Sequence, residues 1–196
     1  MSTLSVKESL DFIVRRHKTA LDQSFTGPQL EVLEKITREM IRTLKASNKI
    51  LFCGNGGSAA DSQHIAAEFI ARFKKERKSL AAMALTTDTS ILTAVANDYS
   101  FDEVFARQVE GLGVEGDLLI AISTSGNSRN VLNAVKKAKE HQMFTVGFTG
   151  TGGGPLAKAV DLCYHAQAKE TSHIQEMHIT ALHAISEIVE EIFFGA

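Results

Sequence analysis

An apolar run that leads directly into a hydroxyl-rich loop is the clearest structural signal in this sequence: Leu118-Leu119-Ile120-Ala121-Ile122-Ser123-Thr124-Ser125-Gly126-Asn127-Ser128. Residues 118–122 form a short, continuous apolar run, which is typical of a strand buried on both faces of a parallel sheet. The loop at 123–128 carries four hydroxyl side chains in six residues, and helical spacing follows at 128–140. A strand, a polar loop and a helix in this order indicate one unit of an α/β fold.

The same order of elements recurs along the chain. An apolar run at 50–53 ends in the glycine loop 54–58, and helical spacing follows at 59–73. Further strands are predicted at 81–85, 144–148 and 162–165, and further helices at 90–96, 101–111 and 172–194. This alternation predicts a three-layer α/β/α fold around a central, mainly parallel five-stranded sheet.

Two helices are predicted ahead of the first strand, within residues 1–46, and the α/β core follows at 47–196. Thr26 and Gln29 have the spacing of a capping box at the start of the second helix. No repeat, linker or low-complexity tract divides the chain, so we expect one domain over residues 1–196.

Composition excludes several classes of function. The chain has 196 residues, 44% hydrophobic and 22% charged, with a net charge of −2, so bulk charge gives no reason to expect nucleic acid or membrane partners. Its apolar runs are far shorter than the roughly 20 residues that cross a bilayer, and the N-terminus lacks the pattern of a signal peptide. Cys53 and Cys163 lie in apolar runs and are predicted to be buried and reduced. A cytoplasmic protein is the expectation.

The loops at 54–58 and 123–128 are candidates for binding a phosphate. Each follows a predicted strand and precedes a helix, and helix N-termini with free amides and hydroxyls attract anions without basic residues. The acidic residue that a dinucleotide fingerprint requires is missing, and no Gly-Lys-Ser/Thr follows, so no nucleotide cofactor is expected. A helix cap is the alternative for 123–128, although one cap needs only one hydroxyl.

Ionisable residues on two predicted helices are candidates for chemistry. His64 and Glu68 are four residues apart and share a helix face among apolar neighbours, where they could bind a divalent metal or transfer protons. A core histidine is the alternative for His64 and for His183, and a capping box that starts at Ser172 is the alternative for Gln175. Gln175 and His183 are eight residues apart, which is about 12 Å along a helix. Whether one site contains both of them together with His64 and Glu68 therefore stays open.

In combination, these residues resemble the phosphoheptose isomerase family of the sugar isomerase (SIS) domain class, over nearly the whole chain. The motifs that carry the resemblance are Cys53-Gly54-Asn55-Gly56-Gly57-Ser58, His64-x-x-x-Glu68, Ala96-Asn97-Asp98, Ala121-Ile122-Ser123-Thr124-Ser125-Gly126-Asn127-Ser128 and Ile174-Gln175-Glu176-x-His178. The resemblance implies a doubly wound, flavodoxin-like SIS sheet with extra N-terminal helices that serve oligomerisation.

The family's functional residues match this sequence without a departure. The resemblance implies that Glu68 and His183 are the catalytic acid–base pair. It implies one Zn²⁺ per subunit, bound by His64, Glu68, Gln175 and His183. It implies substrate contacts from Asn55, Gly56, Gly57, Glu68, Asn97, Asp98, Ser123, Thr124, Ser125, Ser128 and Gln175.

The activity implied by the resemblance is the isomerisation of sedoheptulose 7-phosphate to D-glycero-D-manno-heptose 7-phosphate through an enediol. This reaction is the first step of ADP- or GDP-heptose synthesis for lipopolysaccharide or other surface glycans. The family is a homotetramer with active sites between subunits, which would ease the spacing of Gln175 and His183.

Two other functions remain to be weighed. The first is a non-catalytic SIS-type interaction protein, similar to the bacterial replication initiator-associating protein. Glu68 and His183 favour the enzyme, because a binding module needs no buried carboxylate facing an imidazole. The second is a phosphosugar-sensing regulatory domain, but such domains accompany a DNA-binding domain, and no basic helix-turn-helix segment is present.

Overall fold

The computed structural model describes residues 5–195, so residues 1–4 and 196 of the predicted domain lie outside the described residues. The strands are β1 Ile50–Gly54, β2 Ala82–Ala84, β3 Leu118–Ile122, β4 Phe144–Gly150 and β5 Leu162–Ala166. The helices are α1 Val6–Ser24, α2 Gly27–Lys45, α3 Gly57–Ile70, α4 Thr89–Asp98, α5 Ala106–Leu112, α6 Arg129–Glu140, α7 Gly154–Ala159 and α8 Thr171–Phe194.

All five strands are parallel, in the order β2-β1-β3-β4-β5. This is the flavodoxin-like doubly wound order, so the predicted fold class is confirmed. The direction of winding reverses between β1 and β3, which lie side by side although α3, β2, α4 and α5 separate them in the sequence. Ligands of open α/β sheets bind in the crevice at this reversal, beyond the carboxyl ends of the strands.

The sheet divides two apolar cores. Leu118, Ile120 and Ile122 point into the core formed with α2, α3 and α8, whereas Leu119 and Ala121 point into the core formed with α5 and α6. Every residue of β1 and β3 is buried, which explains why these strands are continuous apolar runs and not alternating ones.

Several local predictions differ from the structure. The helix predicted at 59–73 is α3, which begins earlier and ends at Ile70. The helix predicted at 101–111 is split into a 3₁₀ turn, Phe101–Glu103, and α5, while α7 follows a segment predicted as loop. Cys53 is buried as predicted, but Cys163 is only partly buried on the edge strand β5.

The capping box predicted at the start of α2 is not formed. Thr26 is the N-cap residue but makes no side-chain cap bond, and the side-chain oxygen of Gln29 accepts a hydrogen bond from the His165 amide at 3.3 Å. A tertiary partner therefore replaces the local one. None of the helices within residues 5–195 combines the length and apolar character that crossing a bilayer requires.

Candidate active site

The two loops with phosphate-binding character meet at the crevice between β1 and β3. The last residue of β1, Gly54, is paired in register with the last residue of β3, Ile122, so both loops leave the sheet at one edge. Asn55 and Asn130 then join them, because each side-chain amide donates to the other's oxygen at 2.9 Å. Asn130 is buried, so the position of one loop is fixed relative to the other.

The hydroxyl loop 123–128 presents polar groups at the start of α6. The Ser123 and Ser128 hydroxyl oxygens lie 3.0 Å apart, and the Ser125 hydroxyl accepts a hydrogen bond from the Asn127 amide at 3.2 Å. Ser128 is the N-cap residue of α6 but makes no side-chain cap bond, so the helix-cap alternative is not supported. Free amides and hydroxyls at this helix end suit an anion such as a phosphate.

The glycine loop 54–58 brings backbone close to a side chain of α8. Gly56 has a positive φ of 56°, and a Cβ atom added at Gly57 would lie 2.5 Å from the Nε2 atom of Gln175. A Cβ at this position would push the Gln175 amide away from the loop, so glycine lets the amide lie against the backbone. Helix α8 begins at Thr171 after the N-cap Glu170, so Gln175 does not form the capping box that was its alternative interpretation.

The ionisable residues of α3 and α8 form one cluster. His64 Nε2 lies 2.8 Å from His183 Nε2 and 3.4 Å from Glu68 Oε1. The two helices run side by side in the same direction, since Gln175 contacts the start of α3 and His183 contacts its middle. A single chain therefore unites His64, Glu68 and His183, although 119 residues separate the two histidines.

The surroundings favour a neutral His183. Burial lowers the pKa of His183, a charged His64 would lower it further, and Glu68 acts in the opposite direction. A neutral imidazole can accept a proton at physiological pH. Below the cluster, burial raises the pKa of the Asp61 carboxyl to about 6, although His64 opposes the change. The Oδ2 atom of Asp61 is buried and has no hydrogen-bond partner.

The cluster also fits a metal ion. One ligand atom from each of His64, Glu68 and His183 lies within 4.8 Å of the others. Two imidazoles and a carboxylate are a donor set that zinc binds, with a further position left for another ligand. Gln175 approaches the glycine loop from the same helix as His183, and its role as the fourth ligand stays a prediction.

A buried ion pair that the sequence interpretation missed fixes the end of α3. The guanidinium of Arg77 donates to the carbonyl oxygens of Glu68 at 2.6 Å and Phe69 at 2.7 Å, and to Glu190 at 2.9 Å. Glu190 also accepts the amides of Phe73, Lys74 and Lys75. Burial alone would raise the pKa of Glu190, but these amides and Arg77 lower it to about 2.

Other motif residues lie elsewhere. Asn97 and Asp98 are exposed at the end of α4, and within residues 5–195 their side chains hydrogen-bond only to each other, at 2.8 Å. His178 is a core residue, since its Nε2 donates to the Thr149 carbonyl at 3.0 Å and burial lowers its pKa to about 4. Asn130 and Arg77 carried no recognisable motif, because their roles depend on partners distant in sequence.

Comparison with known proteins identifies the class of this domain. The profile of the SIS domain matches residues 16–150, which is more than half of the chain, so the chain belongs to the SIS domain family. Phosphoheptose isomerases of Roseiflexus sp. (strain RS-1) and Bradyrhizobium sp. (strain ORS 278) are 54% and 48% identical to it. Their alignments cover 85% and 93% of this chain and 84% and 95% of the relatives, respectively. Within the SIS class, the chain is a member of the phosphoheptose isomerase family.

Solved structures agree with this assignment. The phosphoheptose isomerase of Neisseria gonorrhoeae is 41% identical, has a TM-score of 0.90, and is matched over 95% of this chain and 100% of that one. A phosphoheptose isomerase from Francisella tularensis is 31% identical, with a TM-score of 0.91 over 96% of this chain and 100% of that one. The Vibrio vulnificus NanR protein complexed with ManNAc-6P, 16% identical over 96% of this chain and 64% of that one with a TM-score of 0.69, shares the fold alone.

Proposed function

We propose that this chain is an aldose–ketose isomerase that converts sedoheptulose 7-phosphate to D-glycero-D-manno-heptose 7-phosphate. The observation that carries the proposal is the meeting of Glu68 and His183 on α3 and α8, next to the glycine loop at the β1/β3 crevice. The phosphoheptose isomerases that align with this chain over most of their length support the enzyme rather than the non-catalytic interaction protein.

The reaction needs two proton transfers, one between carbons 1 and 2 and one between the oxygens they carry. In the proposal, Glu68 removes the proton from C1 of the ketose and returns a proton to C2 of the enediol. The lowered pKa of His183 keeps its imidazole neutral and ready to accept a proton, so we assign it the shuttle between the oxygens. Arg77 supports this work indirectly, because it holds the backbone carbonyl of Glu68.

The phosphate of the substrate is assigned to the paired loops. Asn55, Gly56 and Gly57 supply one side of the crevice, and the other side is supplied by the hydroxyl loop with Ser123, Thr124, Ser125 and Ser128. The net charge of −2 gives no general attraction for an anion, so amides and hydroxyls at the start of α6 would have to bind it locally. Asn97 and Asp98 remain predicted substrate contacts.

Zinc is the proposed cofactor, with His64, Glu68, Gln175 and His183 as its ligands; Glu68 would then transfer protons through its second carboxylate oxygen and His183 through its second ring nitrogen. The convergence of three of these residues and the donor types support this assignment. When bound there, zinc would supply a Lewis acid for the oxyanion of the enediol.

We further propose a homotetramer with active sites between subunits, assembled through the helices within residues 1–46. The support is apolar surface, since the α1 side chains Leu10 and Val14 are 58% and 49% exposed. An apolar groove between α2 and α8 adds Leu30, Ile188 and Ile192 to this surface. We place the enzyme in the cytoplasm, at the first step of ADP- or GDP-heptose synthesis for lipopolysaccharide or other surface glycans.

The decisive experiment follows aldose formation from sedoheptulose 7-phosphate in D₂O. Wild-type protein should form an aldose that carries deuterium at C2, because the enediol is protonated by a group that exchanges with solvent. Glu68→Gln should lower kcat by about 10²–10⁴-fold. As the control, Glu76→Gln removes an exposed carboxylate that pairs with Arg72, and it should change kcat by less than about twofold. No turnover by wild type would refute the activity, and full turnover by Glu68→Gln would refute the assigned base.

A further inference from the structure

A second group of metal-ligand side chains lies outside the candidate active site, where α1 packs on the first turns of α8. It consists of His17 from α1 and His173 and Glu176 from α8, and one ligand atom of each lies within 4.8 Å of the others. His17 Nδ1 is 2.6 Å from Glu176 Oε2. The two imidazole rings are 5.8 Å apart between centroids and nearly perpendicular, at 78°.

The ring of His173 lies beside a carboxylate. Its Nδ1 lies 3.4 Å from Glu170 Oε2, and the other oxygen of that carboxylate accepts a hydrogen bond from Arg16. A carboxylate against one ring nitrogen is how proteins orient a metal-binding histidine, because it leaves the second nitrogen as the ligand. Because His173 is buried, its second ring nitrogen can point in few directions.

We propose that His17, His173 and Glu176 form a second binding site for a divalent transition metal such as Zn²⁺, distinct from the cluster of His64, Glu68 and His183. The His17–Glu176 contact on its own would join the two helices, and the position of His173 beside this contact adds the third donor. Two imidazoles and one carboxylate suit Zn²⁺. In the single chain, the side chains of His17 and Glu176 are 37% and 48% exposed, so a fourth ligand could reach the ion from water or from a neighbouring subunit.

The site would reinforce the contact between α1 and α8, which the ion pair of Arg16 and Glu170 also joins. Helix α1 has a largely exposed apolar face, and a metal ion would anchor it to the segment of α8 that contains Gln175. We therefore assign the second ion a structural role, in which it ties the N-terminal helix to the helix that bears Gln175 and His183.

Zinc titration of the metal-free, full-length protein against a chromogenic chelator tests the proposal. Wild type should bind two equivalents per chain, and His17→Gln or Glu176→Gln should weaken one of them by about tenfold or more. His141→Gln is the matched control, because His141 faces the Gly113 carbonyl far from either cluster, and it should keep both. Glu176→Gln is an exposed substitution of equal size, so loss of folding is not expected.

A variant that lacks a ligand of the first site tests the second site by itself. In His64→Ala, one zinc equivalent should remain and should raise the midpoint of thermal unfolding, and adding His17→Gln should abolish both effects. Co²⁺ in place of Zn²⁺ should give the visible absorption of a tetrahedral complex in His64→Ala but not in the double variant. Zinc binding that is abolished by His64→Ala and unchanged by His17→Gln would overturn the second site and leave the first intact. One equivalent that survives His64→Ala and is lost in His17→Gln would support the second site against the first.

Discussion

The candidate active site has two parts, the paired loops and the helix pair, which the chain builds in different ways. The loops 54–58 and 123–128 are positioned by the ends of adjacent parallel strands, so a few consecutive residues determine where their amides and hydroxyls point. The ionisable cluster depends instead on the packing of α3 against α8, which joins His64 and His183 across 119 residues. The loops have the character of a binding surface, and the helix pair carries the groups that can transfer protons.

The largest effect should follow from breaking the helix pair. His183→Gln keeps a polar side chain of similar size but removes the imidazole, so kcat for sedoheptulose 7-phosphate should fall by about 10²–10⁴-fold while KM changes little. Steady-state kinetics would measure both constants.

A substitution in the loops should change KM and leave kcat nearly unaffected. Ser125→Ala removes one exposed hydroxyl of the proposed phosphate site, so KM should rise while kcat is nearly unchanged. For sedoheptulose, which lacks the phosphate, Ser125→Ala and wild type should have the same KM. A rise in KM without loss of kcat in His183→Gln would contradict the separate roles of the paired loops and the helix pair.

The same contrast explains how much could be predicted from the sequence. The strand 118–122 and both loops were predicted because apolar runs, glycines and hydroxyls act within a few residues of one another. The structure of residues 71–78 was not predicted, because the carboxylate that orders this segment, Glu190, lies more than 100 residues further along the chain. Within this segment the side chain of Arg77 is only 2% exposed, because it pairs with Glu190.

A third substitution tests what holds the end of α3 in place. Glu190→Gln leaves the buried Arg77 without its countercharge and weakens three amide contacts, so the free energy of unfolding should fall by about 3 kcal/mol at pH 7. Urea unfolding would measure the loss. Glu187→Gln, an exposed partner of Lys74 on the same helix, should cost less than about 1 kcal/mol.

The pH dependence of this effect has a definite sign. Because the folded pKa of Glu190, about 2, lies below the ordinary value of 4.5, its contribution is present above pH 4.5 and is lost as the pH falls towards 2. Wild type should therefore lose more stability than Glu190→Gln between pH 4.5 and 3, and parallel curves for the two proteins would contradict the assignment.

The smallest expected effect concerns the joint between the two loops. Asn130→Ala removes the reciprocal amide pair with Asn55, which should destabilise the fold by about 1–2 kcal/mol and raise KM for sedoheptulose 7-phosphate a few-fold with kcat unchanged. Asn133→Ala is the matched control, since its amide is on the same helix but donates to Asp102 and Glu103. That variant should lose similar stability and keep its KM. Equal KM values in the two variants would mean that the Asn55–Asn130 pair stabilises the fold without positioning the glycine loop for substrate.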